Sequence, residues 1–196
     1  MSTEELAVQD VVAGRLRMGR PLSGRPDAAL VRAAQRGDAD AVDELFRRHW
    51  PAAHRAAWLV VHDAAAAEDI AQEAFLSALR ALDRFDRRRP LGPWLHRIVV
   101  NRAIDWSRAR ALRPEAAADA LPEAAAGPAA PEVGDDIVAA LADLGPEHRA
   151  VVVLRHLLGY TPGEIAAMLD LPRGTVNSRL RRALDALAIA LTEERP

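Results

Sequence analysis

Residues 161–180 read TPGEIAAMLDLPRGTVNSRL. Thr161 and Glu164 stand three apart, the spacing of a capping box, and Pro162 occupies the first helical position; a helix therefore starts here and carries Ile165, Ala166 and Leu169. Asp170-Leu171-Pro172 ends it, because proline has no amide hydrogen to donate and its ring clashes with the preceding turn. Beyond Pro172 a longer helix is predicted, with Val176, Leu180, Leu184, Leu187 and Leu191 inward at helical spacing. A short capped helix, a three-residue turn and a longer basic helix make a helix-turn-helix.

Working upstream, Ile137, Leu141 and Leu144 predict one helix, and Gly145-Pro146 closes it and opens the next. That next helix carries Val151, Val152, Leu154, Leu157 and Leu158 and stops at Gly159. In the N-terminal half, apolar residues at helical spacing run from a cap near Asp27 through Leu30, Ala33, Ala34, Ala41, Leu45 and Phe46. The clearest stripe lies between Ala66 and Leu82, where Ile70, Ala71, Ala74, Phe75, Ala78, Leu79 and Leu82 share one face. Glu68, Asp69, Gln72, Glu73 and Leu76 lie opposite. A further helix from about Pro93 to Ala111 packs through Trp94, Leu95, Ile98, Val99, Ala103 and Trp106, and turns Arg97, Asn101, Asp105 and Arg108 the other way.

The fold class expected is all-α, as two small helical domains joined by a flexible linker. Residues 1–26 form an extension rich in glycine and proline without a sustained stripe, 27–112 the first domain, 113–134 the linker, and 135–196 the second domain. Residues 114–136 hold four prolines and six acids with no base, and the linker is expected to stay extended.

Composition excludes several classes of function. The 196 residues contain no cysteine, which removes disulfides, thiolate metal sites and thiol nucleophiles. The longest strongly apolar stretch, Ala56 to Val61, is far shorter than the ~20 residues of a membrane span. Glu4, Glu5 and Asp10 stand where a secretory leader would be basic, so a cytoplasmic chain is expected. His62 with Glu68 and Asp69, or His148 with Glu147, could be imagined as metal or acid–base groups. No phosphate-binding glycine loop, zinc-helix motif or nucleophile elbow accompanies them, so no catalytic residue, metal or cofactor is assigned.

The net charge of −2 conceals strong segregation. Residues 80–113 carry ten arginines against three aspartates, and residues 172–184 carry four arginines and no acid. Residues 63–73 hold four acids and no base. Every base is arginine, whose planar fork suits phosphates and guanine edges, although an alanine-heavy, lysine-free chain also reflects coding bias. On the last helix Arg173, Asn177 and Arg181 follow a helical line, with Ser178 and Arg182 beside them, presenting base readers and phosphate donors together.

These residues resemble the extracytoplasmic-function (ECF) group of bacterial sigma factors over Asp27 to about Leu191. Ala67-Glu-Asp-Ile-Ala-Gln-Glu-Ala-Phe-Leu76, Ala78-Leu-Arg80, Phe85, Pro90, Trp94-Leu95, Arg97-Ile98 and Asn101-Arg-Ala-Ile-Asp105 are similar to sigma region 2. Leu144, His148-Arg149, Leu154-Arg155, Gly159-Tyr-Thr161, Glu164-Ile-Ala166, Leu169 and Gly174-Thr-Val-Asn-Ser-Arg-Leu180 are similar to region 4. The resemblance implies that Glu68, Asp69, Gln72, Glu73 and Leu76 dock on the clamp helices of the largest subunit of core RNA polymerase. It implies that Arg87, Arg88, Arg89, Arg97, Asn101, Asp105 and Arg108 meet the −10 promoter element. It further implies that Arg173, Gly174, Thr175, Asn177, Ser178, Arg179, Arg181 and Arg182 meet the −35 element. The flap of the second-largest subunit and a separate anti-sigma factor are the remaining implied partners. The alternative is a stand-alone helix-turn-helix regulator with an N-terminal interaction domain. The sequence leaves open whether the two domains stay apart or pack together.

Overall fold

The computed structural model describes residues 24–112 and 134–193, all helix, turn or coil. The linker expected over 113–134 and the extension over 1–26 therefore fall almost wholly outside the described residues. Five elements form the N-terminal half: α1 (Asp27–Ala34), α2 (Ala39–Val61), α3 (Ala64–Ala81), a 3-10 turn (Leu82–Arg84) and α4 (Leu91–Ala111). The C-terminal half holds α5 (Asp135–Ala142), α6 (Pro146–Val152) running into a π turn (Val153–Leu157), α7 (Pro162–Leu169) and α8 (Arg173–Glu193).

The helix starts follow from local chemistry. Asp38 and Asp63 cap α2 and α3 by accepting from the amides of Ala41 (3.1 Å) and Ala66 (3.0 Å), each filling an otherwise orphaned donor. Asp27, read as a cap, is instead the first helical residue after Pro26, and its carboxylate accepts from His49 at 2.7 Å. The capping box is complete: Thr161 Oγ1 accepts from the Glu164 amide, and the Glu164 carboxylate accepts from the Thr161 amide at 2.8 Å. Asp170 ends α7 in the left-handed region, φ 54°, which lets the chain turn within three residues into α8.

The long α2 is the axis of the molecule, and only its first turns were legible from apolar spacing. It continues through Pro51 because Ala53, Ala56, Ala57, Leu59 and Val60 are wholly buried beyond it, which outweighs one lost helical hydrogen bond. Leu59 and Val60 belong to the same buried cluster as Leu95 and Val99 of α4 and as Ile137, Leu141, Val151 and Leu154 of the C-terminal half. The two halves thus share one apolar core rather than standing apart. A smaller cluster, Leu30, Val31, Leu45, Leu82 and Leu91, seats α1, and Gln35 ties it down by donating to the carbonyls of Leu82 (2.9 Å) and Phe85 (3.1 Å).

Candidate functional site

Helix α3 turns its alanine-rich stripe inward and leaves a charged outer face. Ala67, Ala71 and Ala74 are fully buried, whereas Glu68, Asp69, Gln72 and Glu73 are exposed. Leu76 lies among them with 52% of its surface open, as its position off the stripe requires. Gln72 donates to Glu68 at 3.1 Å, and Arg102 of α4 pairs with Glu73 while donating to Ser77 Oγ at 2.8 Å. This face is consequently acidic, locally ordered and apolar at its centre.

Two residues read as core extend that apolar centre. Phe46 and Leu79 are each about two-fifths exposed (40% and 39%), at the rim of an apolar groove also lined by Phe75 and Trp94. Phe46 stacks on Trp50 at 4.8 Å between ring centroids and tilts against Phe75 at the same distance. Both sit at the edge of their stripes, where spacing alone does not distinguish a buried side chain from one at a groove mouth. Trp94 packs on the core as expected, with Phe85 at 4.6 Å.

The basic faces are less uniform. Arg87, Arg88 and Arg89 project from the exposed loop before α4, where Arg88 folds back onto the Asp86 carboxylate at 3.0 Å and holds that carboxyl below its usual range. Arg97 and Asp105 are exposed on α4. Asn101 and Arg108, on the same face, are engaged with the C-terminal half. Asn101 Nδ2 donates to the Met168 carbonyl at 3.3 Å, and Arg108 donates to Glu147 of α6. The other oxygen of Glu147 pairs with Arg179 of α8. These two guanidinium groups, the Arg108 hydrogen bond first, hold the Glu147 carboxyl below its ordinary value.

On α8 the side chains divide by face. Val176, Leu180, Leu184 and Leu187 are buried, while Arg173, Gly174, Asn177, Arg181 and Arg182 are exposed. Thr175 and Ser178 are half-buried, and the Ser178 hydroxyl donates to the Thr175 carbonyl at 2.9 Å, so its proton is spent within the helix. Arg179, half-buried against Glu147, lies off the outward line of Arg173, Asn177 and Arg181.

Three histidines are buried or half-buried. His96 of α4 is buried, with Nδ1 2.7 Å from the Tyr160 hydroxyl across the two halves, and desolvation lowers its pKa to about 4. Burial, aided by the Arg149 charge from the other half, lowers His62 to about 4, and burial likewise lowers His156 to about 4. Among the described residues no group of acids and histidines could hold a metal ion, and no helix is long and apolar enough to cross a membrane.

Comparison with known proteins bears on this arrangement directly. The model of sigma-70 region 2 matches residues 45–113 and that of sigma-70 region 4 matches 134–187. The ECF RNA polymerase sigma factor SigM of Mycobacterium tuberculosis is 39% identical over 164 residues, covering 84% of each chain. The chain belongs to the ECF sigma-factor family. The ECF sigma-E factor of Escherichia coli K12 is 34% identical, over 82% of this chain and 92% of its own. Among solved structures, CnrH in complex with the cytosolic domain of CnrY has 30% identity and a TM-score of 0.64, covering 86% of this sigma factor and 98% of that chain. RpoE of Bartonella quintana, in complex with the anti-sigma factor NepR, has 25% identity and a TM-score of 0.66 over 78% and 98%.

Proposed function

We propose that this ECF sigma factor binds core RNA polymerase through the outer face of α3, and carries the polymerase to promoters through α4 and α8. The observation that carries the reading is Leu76, half-exposed in a ring of Glu68, Asp69, Gln72 and Glu73. An apolar side chain rimmed by charge suits a protein partner better than solvent, and the acidic rim steers a basic partner and fixes its register. Docking on the clamp helices of the largest subunit uses this face, with Leu79 and Phe46 widening its apolar part.

Arg87, Arg88 and Arg89 follow the backbone of the −10 element, while Arg97, Asn101, Asp105 and Arg108 position its separated strand. Removing a base from the stack costs a few kcal/mol, which phosphate neutralisation by arginines helps offset. At the −35 element, α8 enters the major groove. Arg173, Asn177, Arg181 and Arg182 read bases and phosphates there, Gly174 and Thr175 offer the helix N-terminus to a phosphate, and Ser178 and Arg179 flank the contact. The region from His148 to Leu158 supplies a flap contact from its exposed edge.

Polymerase performs the chemistry, and this chain supplies binding energy and strand separation in the cytoplasm. A separate anti-sigma factor that covers these faces would control it. The test adds the purified chain to core polymerase and measures open complexes and run-off transcripts on genomic promoter fragments. Initiation dependent on the chain is expected; duplex binding without core and without initiation would instead make it a stand-alone regulator.

A further inference from the structure

Residues 1–23 take no part in the functions assigned above, and their charge is segregated. The first ten hold Glu4, Glu5 and Asp10 and no arginine, whereas residues 11–23 hold Arg15, Arg17 and Arg20 and no acid. Val11, Val12, Leu16, Met18 and Leu22 are interspersed with those arginines, so apolar and cationic side chains stand side by side along this stretch.

The face of α2 and α3 has the complementary character. Phe46, Trp50 and His54 form a row along α2, with ring centroids 4.8 Å and then 5.5 Å apart and planes only 23° and 8° from parallel. Phe46 and Leu79 stand open at the mouth of the apolar groove, and Leu76 continues the apolar surface along α3. Glu68 and Asp69 stand exposed on that same outer face of α3, and among the described residues no arginine pairs with either. Aromatic faces beside carboxylates attract guanidinium groups, and the groove accepts aliphatic side chains.

The chain enters the described structure next to this face. A side chain at Gly24 would meet the Arg48 guanidinium, and Arg48 donates to the Arg25 carbonyl at 2.6 Å, so residues 24 and 25 are held against α2 two positions from Phe46. A helix is roughly 10–12 Å across with its side chains, so the path round α2 from Arg48 to Phe46 is short. Seven extended residues cover up to ~23 Å, which brings Arg17 and Met18 to the groove.

We propose that residues 11–22 dock in the groove of α2 and α3, with Leu16 and Met18 against Phe46 and Leu79 and the arginines at the Glu68 and Asp69 rim. A tether this short holds the segment at an effective concentration on the order of millimolar, an advantage that no partner arriving from solution shares. The docked segment covers the face proposed for polymerase, so the two compete. That competition rests on the role given to α3 above, whereas the docking does not.

Because the chain has no cysteine, cysteines introduced at Ala13 and at the exposed Ala65 of α3 take spin labels specifically. The full-length chain is expected to give one narrow distance distribution. Two variants of the segment should broaden it: Arg15→Gln, Arg17→Gln, Arg20→Gln, which removes the charges, and Val12→Ser, Leu16→Ser, which leaves the charge unchanged. Leu79→Ser at the groove mouth should broaden it as well, with helix content verifying that each variant is folded. Both segment variants are expected to bind core polymerase about threefold more tightly, because the competing state is lost. The charge-neutral variant separates this gain from electrostatic steering.

A broad distribution in the parent chain would overturn the proposal, as would a distribution that stays narrow in the segment variants or in Leu79→Ser. A defined distance between two singly labelled chains, one at position 13 and the other at 65, would make a second copy the source of the segment and overturn it equally. Broadening without tighter association would overturn the competition. Loss of association in every chain, the parent included, would instead refute the polymerase reading of α3, while the labels still decide the docking.

Discussion

On α3, Glu68, Asp69, Gln72 and Leu76 face away from the remainder of the chain, whereas on α4, Asn101 and Arg108 make hydrogen bonds into the C-terminal half. The two faces belong to neighbouring helices of one bundle and carry opposite charge. Among the described residues the acidic face pairs with Arg102 through Glu73 and stays accessible. The basic face of α4, within reach of a carboxylate from the other half, has Arg108 paired with it while Arg97 stays exposed. The contrast teaches that charge is handled differently on the two faces: the acidic face of α3 is presented, and the basic face of α4 is partly engaged by the chain itself.

That contrast can be broken at the seam between the two halves. Leu154 is fully buried in the core shared by the two halves, so Leu154→Ala is expected to cost about 3 kcal/mol through lost burial and the cavity it leaves. Chemical denaturation checks this, and association with core polymerase, proposed to run through α3, should be retained at temperatures where the chain is folded. Acid should loosen the same seam. His62, His96 and His156 hold pKa values of about 4 in the fold against an ordinary value of 6.5, so the unfolded chain binds more protons throughout that interval. Stability therefore rises with pH across the window and is lost as pH falls from about 6.5 towards 4. Melting midpoints measured at intervals over that range check the direction, and His96→Gln should flatten the slope.

Two smaller effects sharpen the comparison. Arg181 and Arg182 are exposed and lie outside the seam, so converting either to alanine should weaken duplex binding by about 1 kcal/mol and reduce the salt slope by about one phosphate contact. Thr161→Ala removes the cap of α7 and should lower stability by about 1 kcal/mol or less, since its hydrogen bonds are solvent-exposed. Thermal unfolding measures it.

Much of this architecture is legible in the amino-acid sequence because helices announce themselves locally. The capping box at Thr161, the Asp170-Leu171-Pro172 turn and the exposed Leu76 all follow from residue type and spacing over a few positions. What depends on distant neighbours is not. The burial of α2 beyond Pro51 reflects helices packed around it, and a proline inside a helical stretch argues locally for a break. Phe46 and Leu79 satisfy an apolar stripe and yet line an open groove, since which edge of a stripe is covered depends on the next helix. Glu147 is separated from Arg108 by 39 positions and from Arg179 by a whole helix-turn-helix, so no periodicity could join them. The acid–base pairing of Glu147 with His148, conceivable from adjacency, is replaced by pairing with two arginines.

The division between the two faces is tested most directly by measuring core-polymerase association and promoter opening side by side for Asp69→Arg and for the double variant Arg97→Ala, Arg108→Ala. The account predicts that Asp69→Arg loses both activities with its helix content unchanged, while the arginine variant associates normally and fails to open promoters. Normal association by Asp69→Arg would contradict it.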